Sequence, residues 1–204
     1  MATESSLAVT PGAGQNLRTV SRIIDGTTVH EQGVIAAEGT LATYTAIGID
    51  VAVTTSADHI LFVQGDGTNY CRLRWVRIAQ STLAGAVGTL DLRLLRTSTA
   101  GSGGTTVSPR PFDAADTDPF GGTAQTRPSS KGTEGNQLLQ CRLGIVAANP
   151  MDSRNQWEWR ADRSNMKPII FGNATTSGIV LKVQTGVATV KIDVEFGFVV
   201  STYL

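Results

Sequence analysis

A strict two-residue alternation near the C-terminus constrains the fold of this chain more than any other feature. From position 189 to position 200, apolar and polar side chains alternate almost without interruption. The apolar positions are Val190, Ile192, Val194, Phe196, Phe198 and Val200, and the others are Thr189, Lys191, Asp193, Glu195 and Gly197. Because successive side chains of a β-strand point to opposite faces, this pattern predicts a long strand with one buried and one solvated face. Other strands must cover the apolar face.

A second alternating run precedes this strand. Ile179, Leu181 and Val183 take every second position, and the link at 184–188 is short and contains Gly186. Two alternating runs joined by a short glycine-containing link are typical of an antiparallel hairpin. The sequence therefore predicts that the last two strands pair with each other.

Further short runs predict strands along most of the chain. They occupy 47–53, 59–63, 70–80, 90–94, 139–145, 156–160 and 168–171. In the first of them, apolar residues take every second position from Ile47 to Val53, which predicts that they share one face. No amphipathic helical stretch of ordinary length is present. Eight or so strands separated by turns rich in Gly and Pro predict an all-β fold, an antiparallel β-sandwich and in particular a jelly roll.

The run at 70–80 changes its pattern midway. Cys71, Leu73 and Trp75 are spaced to share a face, but the next apolar residues, Val76 and Ile78, belong to the opposite parity. A change of parity within one strand predicts a β-bulge, or a strand that passes from one sheet to the other.

The N-terminal 37 residues are predicted to form an arm and hairpin, ahead of a sandwich domain at 38–204. Residues 1–15 are small and polar, as in extended arms that become ordered on a partner. Asp25-Gly26 lies between two β-rich runs and is a strong signal for a two-residue hairpin turn. The residues proposed for assembly are Val20, Ile23, Ile24, Asp25, Gly26, Val29 and Val34. An isolated hairpin is marginal in water, so its apolar side chains need a surface, either on a neighbouring subunit or on the chain's own sandwich.

The segment 97–136 differs in composition from the predicted strands. It is rich in Gly, Ser, Thr, Pro and Asp and shows no strong period. A stretch of this length without periodicity is unusual in a compact domain, and it predicts a long surface excursion used for contact.

Composition and charge exclude several kinds of partner. Charged residues make up 17% of the chain and the formal net charge is zero, so no basic field is available for nucleic acid or for a membrane surface. No apolar run approaches the roughly 20 residues that span a bilayer. The N-terminus lacks the basic and apolar regions of a secretory signal. Cys71 and Cys141 are expected to be buried thiols, as in a protein made in the cytosol, with a disulfide between them as the alternative.

Few residues suggest catalysis or metal binding. His30 and His59 are far apart and lack neighbouring Cys or carboxylate ligands at metal-site spacing, so each is expected to be structural. Gly65-Asp66-Gly67 lies between two predicted strands and is interpreted as a turn rather than a nucleotide loop. No catalytic motif is present, and we expect no enzyme activity, no cofactor and no metal.

Two groups of side chains leave a binding role open. Asp113, Asp116 and Asp118 could offer oxygens to a calcium ion, although their spacing is not that of an EF-hand and a solvated acidic loop is the alternative. Trp157 and Trp159 with Glu158 could form a platform for a sugar, but tryptophans at alternating positions are also typical of a sandwich core.

Three stretches resemble parts of virion proteins of tailed bacteriophages. Asn16-Leu-Arg-Thr-Val-Ser-Arg-Ile-Ile-Asp-Gly-Thr-Thr-Val-His-Glu-Gln32 is similar to their short leader hairpins. The stretch from Arg93 to Thr106, followed by Pro109-Arg-Pro111, resembles one of their loop regions, and Val194-Glu-Phe-Gly-Phe-Val-Val200 resembles the last strand of their jelly-roll domains. The likeness covers most of the chain without a diagnostic motif.

The resemblance implies a structural protein of the particle, present in several copies. Phage cement proteins use a jelly roll with an arm, form trimers and bind over junctions of the capsid lattice. We therefore expect a capsid cement or decoration protein that binds the major capsid protein as a homotrimer, is made in the host cytoplasm and is located in the virion. In that setting the N-terminal hairpin could also dock on the shell. The alternative is a tail, baseplate or fibre component that contacts the host surface.

Overall fold

The computed structural model describes most of the sandwich and the backbone of an N-terminal hairpin. The described residues are 19–24, 27–32, 41–53, 58–82, 84–114, 116, 120–147, 155–161, 168–187 and 189–201. The chain divides into two compact units, Met1–Thr40 and Leu41–Leu204. No α-helix occurs in the described ranges, and no helix there is long and apolar enough to cross a membrane.

The described residues of the first unit form an antiparallel hairpin. Strand β1 covers Thr19–Ile24 and strand β2 covers Thr27–Gln32, and they pair along their full length. The pairing closes at Ile24 opposite Thr27, so two positions lie between the strands, as the Asp25-Gly26 turn predicts. Asp25, Gly26 and Val34 themselves lie outside the described residues.

The described part of the second unit contains twelve strands. Their bounds are β3 Thr43–Val53, β4 His59–Gln64, β5 Tyr70–Gln80, β6 Gly88–Thr97, β7 Thr105–Val107, β8 Arg110–Pro111, β9 Thr123–Thr126, β10 Glu134–Ile145, β11 Gln156–Arg160, β12 Ile169–Phe171, β13 Gly178–Thr185 and β14 Val190–Ser201. Their residues are rich in β-branched and apolar side chains at alternating positions, which favours strands over helices.

The twelve strands form two antiparallel sheets. The first, here called the β14 sheet, has the order β11-β5-β14-β3-β8, with β12 also paired to β5. The second, the β13 sheet, has the order β10-β6-β13-β4-β9-β7. Aliphatic and aromatic side chains from both sheets form one buried core. Its largest fully buried members include Phe171, Phe196, Phe198, Ile60, Leu61, Leu73, Ile78, Leu90, Leu92 and Leu143. The predicted antiparallel all-β sandwich is therefore confirmed.

The predicted hairpin between the last two strands is wrong. β13 lies between β6 and β4 in one sheet, whereas β14 lies between β5 and β3 in the other. The chain therefore changes sheets between Thr185, where β13 ends, and Val190, where β14 begins. Both strands carry an apolar face, and in a sandwich such faces pack against each other across the core instead of pairing edge to edge.

The segment 97–136 is more regular than its composition indicates. β7 and β9 extend the β13 sheet, β8 extends the β14 sheet, and Ser102 forms an isolated bridge with Ser130. Ala124 on β9 is buried in the core. Strands of two to four residues are too short to produce a visible alternation, which is why the sequence predicts a loop here.

Candidate assembly surface on the outer face of the β14 sheet

Two β-bulges determine which residues reach the outer face of the β14 sheet, the face turned away from the core. In β3, Ile49 and Asp50 together oppose Asp193 alone, because Ile192 pairs with Val51 and Val194 pairs with Gly48. Asp50 has a positive φ of 51°, and its backbone N–H donates to Asp193 Oδ1 at 2.8 Å. An extra residue of this kind reverses the inward and outward alternation of the strand that follows.

The β3 bulge overturns the predicted single face from Ile47 to Val53. Ile47 and Ile49 are 46% and 73% exposed, while Val51 and Val53 are buried in the core. Because apolar residues stand at every second position on both sides of the bulge, no change of parity in the sequence reveals it.

The bulge predicted in β5 is confirmed. Gly197 of β14 pairs with Trp75 and Phe198 pairs with Leu73, so Arg74 is the extra residue. Cys71 and Leu73 are buried on the core side. Trp75, predicted to share their face, lies on the opposite side of the sheet, where its indole covers Gly197.

The strand register aligns the outer residues in three rows that run from β3 across β14 and β5 to β11. The rows are Ile49–Asp193–Ala79–Gln156, Ile47–Glu195–Arg77–Glu158 and Thr45–Gly197–Trp75–Arg160. Aliphatic side chains therefore lie at the β3 end of the face, and charged side chains lie toward β11.

An aromatic pair occupies the third row. Phe112, which follows β8 and is 63% exposed, meets Trp75 edge to face with ring centroids 5.5 Å apart. A Cβ at Gly197 would stand within van der Waals overlap of the Trp75 ring, so only glycine leaves room for the indole to lie flat on β14. We call Ile47, Ile49, Trp75 and Phe112 the outer apolar patch.

Arg77 connects the charged residues of the second row. Its Nε donates to Glu158 Oε1 at 2.9 Å, and its Nη1 lies 3.6 Å from Glu195 Oε2. Trp75 Nε1 donates to Glu195 Oε1 at 2.8 Å. The hydrogen bond to Glu158, with the charge of Glu195, raises the pKa of Arg77 above its ordinary value. These contacts fix the two carboxylates in place on the sheet.

A cleft of about 490 Å³ opens over these rows. Its wall carries three carboxylates, from Glu158, Asp193 and Glu195, against the single guanidinium of Arg77. An acidic cleft beside exposed aliphatic side chains suits a partner that presents a basic group together with apolar side chains.

The predicted sugar platform is not assembled. Trp157 and Trp159 are partly buried and pack against the core, as the alternative interpretation expects, whereas Glu158 turns outward to Arg77. The alternation that relates these three residues in sequence places the carboxylate and the two rings on opposite faces.

His59 is buried at the start of β4, in a small network with Glu134 and Lys182. His59 Nε2 and Glu134 Oε1 are 2.9 Å apart, and Lys182 Nζ donates to Glu134 Oε2 at 2.6 Å. Burial lowers the pKa of His59, with smaller contributions from Lys131 and Lys182, although Glu134 opposes the shift. Partial burial of Glu134 would raise its pKa, but the hydrogen bonds from Lys182 and His59 hold it below the ordinary value.

The other predicted residues lie in scattered places. Cys71 and Cys141 are free and buried, and burial raises the pKa of each thiol to about 12.

Asp116 N–H donates to the carbonyl of Asp113 at 3.1 Å, while Asp118 lies outside the described residues. Within the described ranges, no group of three or more His, Cys, Asp and Glu residues could hold a metal ion.

The proposed assembly hairpin is described by its backbone. Val20, Ile23 and Ile24 belong to β1 and Val29 belongs to β2. His30 also lies in β2, paired with Ser21.

Sequence reasoning misses the outer apolar patch because Ile47, Ile49 and Trp75 are spaced like core residues. The parity change after Trp75 is the one signal that places part of the patch. Comparisons of the chain with protein-family models, with curated proteins and with solved structures found no match.

Proposed function

We propose that this chain is a structural protein of a tailed-bacteriophage virion, a decoration protein that binds the assembled lattice of the major capsid protein as a homotrimer. The outer face of the β14 sheet carries this proposal. It exposes Ile47, Ile49 and Phe112 beside an acidic cleft. Exposed apolar side chains grouped on one face are typical of protein-binding surfaces, and the acidic cleft adds charge selectivity.

The strand order supports a jelly roll as the fold of the sandwich. The short strands β7, β8 and β9 are left aside here. Of the remaining strands, one sheet contains β3, β5, β11, β12 and β14, and the other contains β4, β6, β10 and β13. The resulting orders, β11-β5-β14-β3 and β10-β6-β13-β4, are those of two interlocked Greek keys. Jelly rolls of this kind form many viral capsid domains, and they also form lectin domains.

The test compares attachment to assembled shells with attachment to unassembled capsid protein. The full chain is expected to bind shells at a fixed copy number relative to the major capsid protein and to leave the free subunit unbound. Phe112→Asp, on the outer apolar patch, is expected to weaken shell binding at least about tenfold. Val87→Asp is the matched control, because Val87 is equally prominent at 75% exposure and lies in the turn before β6. Equal binding by both variants would remove the outer face from the proposal, and failure of the full chain to bind shells would overturn it.

A second candidate is a tail, baseplate or fibre component that contacts the host surface. The cleft of about 490 Å³ favours it, since Gln156, Glu158 and Asp193 offer polar groups for hydroxyls. This role predicts few copies per particle and measurable binding of cell-surface saccharides that Glu158→Gln weakens. The copy number in a purified particle separates the two candidates. Neither role assigns catalysis, a cofactor, nucleic acid or a membrane to the chain.

A further inference from the structure

Among the described residues, the edge of β3 that faces away from β14 is largely without a strand partner. β8 pairs with this edge only at Tyr44 and Thr45. From Ala46 to Val53, strand pairing of β3 within the described residues is with β14 alone. An edge strand left open over such a length is a ready template for another strand.

A groove runs beside this open edge, between the two sheets. It consists of two adjoining depressions of about 410 Å³ and 810 Å³, which share Ile49, Thr105 and Thr126. One wall is β3 from Thr45 to Ala52, and the opposite wall includes β7, which is itself the edge strand of the β13 sheet. The groove is therefore bordered by an edge strand of each sheet.

The open edge matches the N-terminal hairpin in length. At about 3.3 Å per residue, the eight residues from Ala46 to Val53 extend for roughly 26 Å, and the six-residue strands of the hairpin extend for roughly 20 Å.

Among the described residues, the hairpin pairs with no third strand. β1 and β2 form a separate two-stranded sheet within the unit Met1–Thr40. Both strands of a two-stranded ribbon are edge strands, and such a ribbon is marginal in water unless a third strand or another surface supports it.

We propose that the groove along Ala46 to Val53 receives one strand of the β1–β2 hairpin of a second copy of this chain. The added strand extends the β14 sheet by backbone pairing with β3, and the exposed Ile49 gives it an apolar contact. This inference rests on the proposed role of the hairpin in assembly. It adds the site that accepts the hairpin.

Exchange of this kind determines the symmetry of the oligomer. Each copy carries one donor hairpin and one acceptor groove at different places on the chain, so the contact is head-to-tail. When head-to-tail contacts close into a ring, every donor hairpin occupies an acceptor groove. A ring of three copies is the proposed trimer.

A complementation experiment on the full chain tests the exchange. Val20→Asp/Ile24→Asp disables the donor, and Ile49→Asp disables the acceptor with little effect on folding because Ile49 is 73% exposed. In sedimentation velocity, each variant alone is expected to be monomeric, because its affinity for self-association is at least about tenfold lower than that of the unmodified chain. An equimolar mixture is expected to form a one-to-one heterodimer, because one intact donor and one intact acceptor remain.

The control is Val87→Asp, which is expected to form the same oligomer as the unmodified chain. The proposal is overturned if the unmodified chain is monomeric, if either variant still forms the full oligomer, or if the mixture forms no heterodimer. Shell binding separates this result from the proposed function. Oligomers that do not bind shells refute the decoration role alone, whereas monomers that bind shells refute the hairpin exchange and the trimer but leave the decoration role standing.

Discussion

At the scale of single residues, burial decides how the chain responds to substitution. Val194 and Lys191 lie three residues apart on β14. Val194 is buried in the core, whereas Lys191 is exposed. This difference agrees with the alternation in the sequence, and it predicts very different costs for the same new charge.

Val194→Asp is expected to lower the free energy of unfolding by about 4 kcal/mol or more, because it places an unpaired carboxylate in an apolar core. Lys191→Asp introduces the same side chain on the solvated face and is expected to cost less than about 1 kcal/mol. Thermal melting of both variants checks the assignment of faces, and equal melting temperatures would contradict it.

His59 predicts how the stability of the sandwich depends on pH. Its Nδ1 is buried without a hydrogen-bond partner among the described residues, so protonation would create a buried, unpaired donor. Its pKa in the folded chain lies below the ordinary 6.5. The unfolded chain therefore binds the proton first, and the stability contributed by neutral His59 is present above pH 6.5 and is lost as the pH falls through the lower, folded value.

The melting temperature of the unmodified chain is accordingly expected to decrease as the pH is lowered from about 7.5 to about 5. His59→Gln should flatten this slope, since the amide can still donate to Glu134 but does not titrate. His30→Gln, at the other histidine of the chain, should keep the slope. If the slope survives unchanged in His59→Gln, the dependence has another origin.

At the scale of strands, the sequence predicts which segments are extended but not how all of them are arranged. The alternation on β14 is sufficient to find the strand and its buried face. The alternation does not identify the strands that pair with β14. The same apolar face is expected whether β14 pairs with β13 in one sheet or packs against it from the opposite sheet. The β5 bulge is visible as a parity change, whereas the β3 bulge at Asp50 is hidden by apolar residues on both sides. The candidate surface depends on both bulges, so only part of it could be predicted.

Gly197 tests the packing of β14 under the indole of Trp75. Gly197→Ala would drive its Cβ into the ring and is expected to cost about 1–3 kcal/mol, with a change in tryptophan fluorescence. Gly144→Ala is the matched control in a strand of the other sheet, since a Cβ there meets nothing within 4 Å. It is expected to change stability by less than about 0.5 kcal/mol. Similar denaturant midpoints for the two variants would show that Trp75 does not depend on the glycine.

At the scale of the whole molecule, the chain combines a two-stranded unit with a twelve-stranded one. The larger unit contains the continuous core. The smaller has too few strands to be stable alone. Under the proposed hairpin exchange, folding depends on the second unit and association depends on the first.

Deletion of residues 1–37 tests this division. The shortened chain is expected to keep the melting transition of the full chain within a few degrees and to lose self-association and shell binding together. Calorimetry and sedimentation of the same samples provide the two measurements. A shortened chain that unfolds but still associates would show instead that the hairpin belongs to the core.

The central position of β14 also affects when the outer face of its sheet forms during synthesis. Thr43, at the beginning of the sandwich, pairs with Val199, near its end, and β5 pairs with the other side of the same last strand. Until the ribosome has delivered β14, β3 and β5 have no common neighbour, so the three rows of the outer face do not exist. Pairing between such distant positions also makes folding slow. The outer face therefore forms only after β14 has left the ribosome, and under the proposed function a nascent chain that lacks β14 cannot bind the capsid lattice.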